Sequence, residues 1–240
     1  MPIVESVFAY LLGGPKVGGA QEERLNRWRA LPAADLAQPH ARARYVAVHA
    51  VQSGRDPRRG RLLAVAAAGV RGGQLDLADC FLRVLRQDRA QVGAEVLRHG
   101  IGGEHQLGGV DPSTAMLEFL EYVGKSPLVT LGDDGGDRRL IERSVHSTLG
   151  YPFAHPWIEL GPRLLSLLPA VAMLPARDWL AHCGLATDGG DHALGQAVAV
   201  AQLLQIVLAA AARAGLATAA QLVTVQELSL IHISEPTRPY

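Results

Sequence analysis

The residues in this chain that could do chemistry fall in three places. His49 follows an apolar, β-branched run at 45–48, and Val51 comes two positions later, before a Ser53-Gly54 turn and Asp56-Pro57. Asp137 opens an apolar-periodic segment directly after the loop Gly132-Asp-Asp-Gly-Gly136. Asp191 and His192 end a second Asp/Gly turn, which leads into the segment that holds Gln196. Carboxylates are the donors that hard cations such as magnesium require, whereas a neutral imidazole favours transition metals or accepts a proton. The methyl groups of Val51 can ligate nothing, and the Gln196 amide offers one uncharged oxygen. Asp-Asp-Gly-Gly and Asp-Gly-Gly-Asp are also ordinary turn compositions with solvated charges, and this is the stronger reading of Asp133, Asp134 and Asp191. His49 by itself reads as a histidine satisfied within a sheet.

Periodicity predicts the elements that would position these groups. Residues 45–51, 61–70 and 74–85 read as strands, the last two joined by an Arg71-Gly72-Gly73 hairpin turn. Asp111-Pro112-Ser113 caps a helix with Met116, Leu117, Phe119, Leu120 and Val123 at helical spacing. Residues 127–131 form a short buried strand. A helix then runs from Asp137 with Leu140, Ile141, Val145 and Leu149 on one face, and Gly150 ends it. Residues 157–168 read as an apolar helix and 178–183 as a further turn. A long helix follows Asp188-Gly189-Gly190-Asp191 and ends near Arg213-Ala-Gly215. Ahead of all this, residues 1–44 read as a helical extension: two short helices around a Gly13-Gly14-Pro15 break, the second over roughly 21–31. Three antiparallel strands followed by alternating helix and short strand predict an α/β domain with a mixed sheet and flanking helices. There is no internal repeat.

A chain of 240 residues with 48% hydrophobic and 19% charged residues has the makings of one substantial globular core. Its 23 basic and 23 acidic residues cancel, so no global field draws in nucleic acid and any binding needs a local patch. Only Lys16 and Lys125 among the basic residues are lysines; with so much Ala and Gly, the arginine excess reads as coding bias. Arg55, Arg58, Arg59 and Arg61 cluster after the first strand, where a solvated turn is a better reading than a phosphate contact. Aromatic residues make up 5% of the chain and none interleaves with those arginines, which argues against a stacking platform for single strands. Cys80 and Cys183 form no CxxC pair and read as reduced, buried thiols of a cytoplasmic protein. Ile3, Val4, Val7, Phe8, Leu11 and Leu12 lack a basic leader and suggest an amphipathic docking helix, not a secretory signal. The run 193–212 is long enough to span a membrane, but Gln196, Gln202 and Gln205 would be costly in lipid, so a buried core helix is expected and no membrane partner. His99 reads as a loop residue beside Gly100 with no assigned role.

The stretch Tyr45-Val-Ala-Val-His-Ala-Val-Gln-Ser-Gly-Arg-Asp-Pro57 resembles the first strand of the DnaQ-like (DEDDh) 3′–5′ exonucleases, which reads Asp-x-Glu-Thr-x-Gly. Other fragments fall in the same order and spacing: His99-Gly-Ile-Gly-Gly103 with Gly109-Val-Asp-Pro112, Glu118-Phe-Leu-Glu-Tyr-Val-Gly-Lys125 leading into Pro127-Leu-Val129, Asp137-Arg-Arg-Leu-Ile-Glu-Arg143 with Pro156-Trp-Ile-Glu-Leu160, and Ala193-Leu-Gly-Gln-Ala-Val-Ala-Val-Ala-Gln-Leu203. The resemblance covers residues 43–214. It implies an RNase H-like three-layer domain at 45–214, with a C-terminal helix at 215–227.

The family hydrolyses a terminal phosphodiester with two magnesium or manganese ions held by converging carboxylates, and a histidine acts as general base. Carried over position by position, the first Asp of the family falls at His49 and the Glu at Val51, with Gln52 and Ser53 where a Thr is usual. The third carboxylate falls at Asp137 and is retained, given one extra residue in the 132–136 loop. The fourth falls at Gln196. The general-base position falls at Asp191, with His192 one residue out of register. Asp137 is therefore the one residual and weak metal ligand among the family positions. The resemblance then implies a catalytically degenerate exonuclease, a pseudoenzyme in which the magnesium or manganese expected of the family is not bound productively. It would be retained for contact with a DNA or RNA 3′ end or with a protein partner.

Two alternatives stand beside that reading. One is an active metal-dependent exonuclease or phosphodiesterase with a rearranged site, in which Asp133, Asp134, Asp137 and Asp191 supply carboxylates and His49 and His192 serve as ligands or base. The other is a decayed or mis-assembled copy of an active exonuclease. The run Leu228-Ser-Leu-Ile-His-Ile-Ser-Glu-Pro-Thr-Arg238 favours the latter, because it looks like a translated transposase sequencing-library adapter. Residues 228–240 are accordingly expected to be an artefactual tail, with the natural C-terminus missing.

Overall fold

The β-branched run around His49 becomes β1, Arg44–Gln52, the central strand of a five-stranded sheet. A computed structural model of the chain describes residues 17–54, 60–90, 96, 99–132, 136–175, 178–185 and 192–223. The segments around the Gly13-Gly14-Pro15 break, the Arg55, Arg58 and Arg59 cluster and the adapter-like run lie outside them.

Beside β1 run β2, Leu62–Arg71, and β3, Gln74–Val84, both antiparallel. On its other side are β4, Leu128–Thr130, and β5, Trp157–Glu159, both parallel, giving the order β3-β2-β1-β4-β5. Gly72 and Gly73 have φ of +59° and +79°, the left-handed pair that a two-residue hairpin turn requires. The helices among the described residues are α1 (Gly19–Arg29), α2 (Gly103–Leu107), α3 (Pro112–Val123), α4 (Gly136–Leu149), α5 (Leu160–Leu167), α6 (Pro169–Ala172), α7 (Trp179–His182) and α8 (Ala193–Arg213). The arrangement is α/β with helices on both faces of a mixed sheet, as the sequence predicts.

Alternation along β1 divides the core in two. Val46, Val48 and Ala50 pack with Leu25 and Trp28 of α1, Met116, Phe119 and Leu120 of α3, and Ile141 and Val145 of α4. Tyr45 and Ala47 face the other way, with Ala68 and Val70 of β2 and Val200, Leu203, Leu204 and Val207 of α8. Alanine is a poor strand former, yet β2 reads Leu-Leu-Ala-Val-Ala-Ala-Ala-Gly-Val-Arg. Small side chains there face Ala193, Ala197 and Ala201 of α8, so the helix can approach the sheet closely. Tertiary packing outweighs propensity. By length and composition α8 is long and apolar enough to cross a membrane, but its apolar face covers the sheet and Gln205 Nε2 donates to Gly73 O at 3.1 Å.

Two elements differ from expectation. Residues 157–159 do not begin the predicted helix but form β5, pairing Leu128↔Trp157, Val129↔Ile158 and Thr130↔Glu159. A three-residue strand shows no period of its own, and the apolar run into Leu160 conceals the junction. Where a helix is predicted over 215–227, the described residues to 223 hold a 3-10 turn at Ala219–Gln221. His40 fastens this segment: its Nε2 donates to Leu216 O at 3.1 Å, and Tyr45 Oη lies 2.5 Å from its Nδ1.

Helix ends follow the local chemistry. Asp111 Oδ1 accepts from the N–H groups of Ser113 and Thr114, both at 3.1 Å, and Pro112 occupies the first turn of α3. Alpha1 is tied alongside α3 by Gln21 Nε2 to Ser113 Oγ at 2.9 Å, a two-pronged Arg24–Glu121 pair, and Trp28 Nε1 to Gly124 O at 2.8 Å. A bulge in β3 turns Asp79 toward Arg44, which grips it with two bonds of 2.8 Å and holds its carboxyl below the usual range. Gly69 is required opposite that bulge, because a Cβ there would sit 2.2 Å from Asp79 Oδ2.

His155 joins the starts of β4 and β5. Its Nε2 donates to Ser126 O at 2.7 Å, and its ring stacks on Phe153 at 5.0 Å between centroids. Burial pushes its pKa down from 6.5 to about 4, with Lys125 adding to the effect. The folded chain thus keeps this imidazole neutral where the unfolded chain takes up a proton. Stability contributed by His155 is full above pH 6.5 and is lost as pH falls toward about 4. The loss should be on the order of 3 kcal/mol. Denaturant unfolding at pH 7, 5.5 and 4 should show a shallower decline in His155→Asn than in the parent; identical slopes would remove His155 as the cause.

Candidate site at the end of the first strand

The site arises because β4 is short. Val46 N–H donates to Pro127 O at 3.0 Å, so every second amide of β1 faces the β4 side. Beta4 pairs with β1 only at Val46↔Leu128 and Ala47↔Val129. Four residues after Val46, the Ala50 N–H points along the same edge, beyond the last β1–β4 pair among the described residues. It donates instead to Asp137 Oδ1 at 3.3 Å, from the first turn of α4.

The other carboxylate oxygen faces His49, whose Nδ1 lies 3.3 Å from Asp137 Oδ2. An ionised carboxylate can only accept, so Nδ1 is the donor. The two side chains are 28% and 22% exposed, partly withdrawn from water, where an unmatched charge is costly. Both contacts exceed the ~2.8 Å of a strong charge-assisted bond, so they satisfy Asp137 without gripping it. His49, which reads from sequence as satisfied within the sheet, takes its partner from a helix.

Val51 lies buried among Leu63, Ala64, Ala66 and Ile101, and with Ala193 and Ala197 of α8. Its methyls close the gap between the end of β1 and the first turns of α8. Gln196, half-buried, sits beside Ala197 on that helix, and its N–H donates to His192 O at 3.0 Å. His192 is exposed at the N-cap of α8; its ring lies against Gly100, where a Cβ would approach Cε1 and Nδ1 to 3.1 Å. His99, read from sequence as a loop residue beside Gly100, is helical. It is 4% exposed, and its Nδ1 accepts from Ile101 N–H at 3.1 Å, a local bond that lets the ring be buried.

His49 and Asp137 are thus brought together, and Val51 joins the end of β1 to the turn that carries Gln196. Asp133, Asp134 and Asp191 lie outside the described residues. Of the arginine cluster, Arg61 is described: its N–H donates to Ser53 Oγ at 2.7 Å, and its exposed guanidinium is 3.9 Å from Asp88. Sequence reasoning missed Arg138 and Glu159. Arg138 Nε donates to Glu142 Oε1 at 3.0 Å and Nη1 to Glu159 Oε1 at 3.5 Å. The available signal was a glutamate at the close of Trp157-Ile-Glu159, which marks a strand end.

A pair of magnesium ions would need several convergent oxygens in near-octahedral order. The positions at hand supply one carboxylate engaged on both oxygens, an imidazole, a buried valine and an amide. Among the described residues no three His, Cys, Asp or Glu side chains gather to hold an ion. These residues do not fit the two-metal centre, and no chemical step is routed through it.

No family profile and no curated protein matches this sequence. Solved structures do match. Cell-death related nuclease 4 (CRN-4) superposes with a TM-score of 0.60 at 12% identity, over 72% of this chain and 66% of its own. The nuclease domain of 3′hExo, a DEDDh family member bound to rAMP, gives 0.58 at 14% identity, over 78% of this chain and 99% of its own. E. coli exonuclease I in complex with an oligonucleotide gives 0.58 at 13% identity, over 72% of this chain but only 43% of its own. The chain therefore has the RNase H-like fold that these exonucleases share.

Proposed function

We propose that this chain is a catalytically degenerate relative of the DEDDh 3′–5′ exonucleases, one that holds the 3′ end of a nucleic-acid strand without cleaving it. The observation that carries this reading is the satisfaction of Asp137 by Ala50 N–H and His49 Nδ1, each at 3.3 Å. In a two-metal nuclease, neighbouring carboxylates repel one another until cations fill the space between them. Here position 49 brings a donor in place of a second acid, so the remaining acid is matched by the protein itself. Val51 replaces a further acid with a packing contact. Losing even one essential group from a concerted site commonly removes several orders of magnitude in rate. Nucleic acid as the ligand class is supported by similar structures solved with an oligonucleotide and, for exonuclease X, with 5′ overhanging duplex DNA.

Incubation with 3′-labelled single-stranded DNA or RNA and Mg²⁺ or Mn²⁺ should leave the strands intact, while fluorescence anisotropy detects binding that survives chelation by EDTA. Metal-dependent trimming that disappears in Asp137→Ala would overturn the proposal.

Restoring the acids gives a second expectation. The triple variant His49→Asp, Val51→Glu, Gln196→Asp should be less stable than the parent without metal, because like charges then face one another. Its melting temperature should rise by several degrees in millimolar Mn²⁺, since ligand at 100-fold over Kd adds about 2.7 kcal/mol. An equal Mn²⁺-dependent rise in the parent would contradict the reading.

A further inference from the structure

We infer that Glu159 is the positioning residue of this site, setting Asp137 against β1 through its contacts with Gly132 past the end of β4 and with Arg138 in the first turn of α4. The inference rests on the placement of Asp137 described above. Asp137 lies within 3.3 Å of both its partners, so the first turn of α4 is set closely against β1.

Glu159 stands where it can do so. It ends β5, pairs across to Thr130 at the end of β4, and leads directly into α5. On one side of it lies Gly132, the last described residue before the loop. Gly132 has φ +66°, and a Cβ on it would sit 2.6 Å from Glu159 Cβ and 3.0 Å from its Cα. The chain leaving β4 therefore rests on the Glu159 side chain, an approach that only glycine permits. Gly161 N–H donates to Leu131 O at 2.9 Å and holds the same segment from β5's side.

On the other side of Glu159 the loop's far end is anchored electrostatically. Arg138, next to Asp137, reaches Glu159 Oε1 at 3.5 Å while bonding Glu142 one turn further along its helix at 3.0 Å. Its side chain is only 12% exposed, and its guanidinium carbon lies 5.9 Å from the centre of the Trp157 ring. A guanidinium so far withdrawn from water is held by its carboxylates, so it registers the helix against β5. Adjacent residues of one turn thus point in opposite directions: Arg138 to β5 and Asp137 to β1, spanning the gap past the end of β4.

Nuclear magnetic resonance of the metal-free chain without nucleic acid tests this. Glu159→Gln keeps the shape and removes the charge. It should shift the His49 ring and Ala50 amide resonances and speed exchange of the Ala50 amide about tenfold, as expected when a local hydrogen bond is loosened. Arg138→Gln should move the same resonances the same way, and the double variant no further. Glu121→Gln, which loses the Arg24 pair on α3, should lower stability and leave them in place. If Glu159→Gln lowers the melting temperature while the His49 and Ala50 signals stay where they are, Glu159 is only a structural residue and the inference is wrong. Because these signals are read without a strand present, failure of the parent to bind DNA or RNA would overturn the function proposed above and leave this assignment standing.

Discussion

A sheet whose fourth strand stops after three residues leaves a backbone amide of its central strand beyond the last strand pair. Buried amides are seldom left without an acceptor, and the chain meets this demand with Asp137. The carboxylate that does so sits at the start of a helix, where its negative charge is favoured. It is also held where clefts open in α/β sheets, beyond the carboxyl ends of the strands. Such an acid must find positive charge or donors. In this chain the second donor is an imidazole two residues before Val51, and the end of the strand closes over with methyl groups.

Much of the architecture was visible in the sequence because it follows from short-range rules. Beta-branched and apolar runs marked β1 and β2, a glycine pair marked the hairpin, and Asp111-Pro112 marked the start of α3. Beta5 was hidden because three residues carry no period and their apolar neighbours continue into a helix. The alanines of β2 argued weakly for a strand on propensity, and only the alanine-rich face of α8 explains them.

The site was legible one residue at a time and not as a partnership. Asp137 could be picked out as an acid opening a helix, and His49 as a polar residue in an apolar strand. That the two meet depends on where elements 88 residues apart come to rest, which no local pattern encodes. The contribution of Glu159 was less visible still. It reads as the end of an apolar segment, and its importance comes from Gly132 and Arg138 approaching it from opposite sides. Val51 was the clearest signal of all, since its side chain type excludes ligation whatever the fold.

Under the function proposed above, Asp137 is matched by donors of the protein itself, and the stability of the fold does not require bound cations. Calorimetric titration with Mn²⁺ tests this most directly. The account predicts no saturable heat below millimolar concentration. Two saturating sites in the micromolar range, lost together in Asp137→Ala, would contradict it.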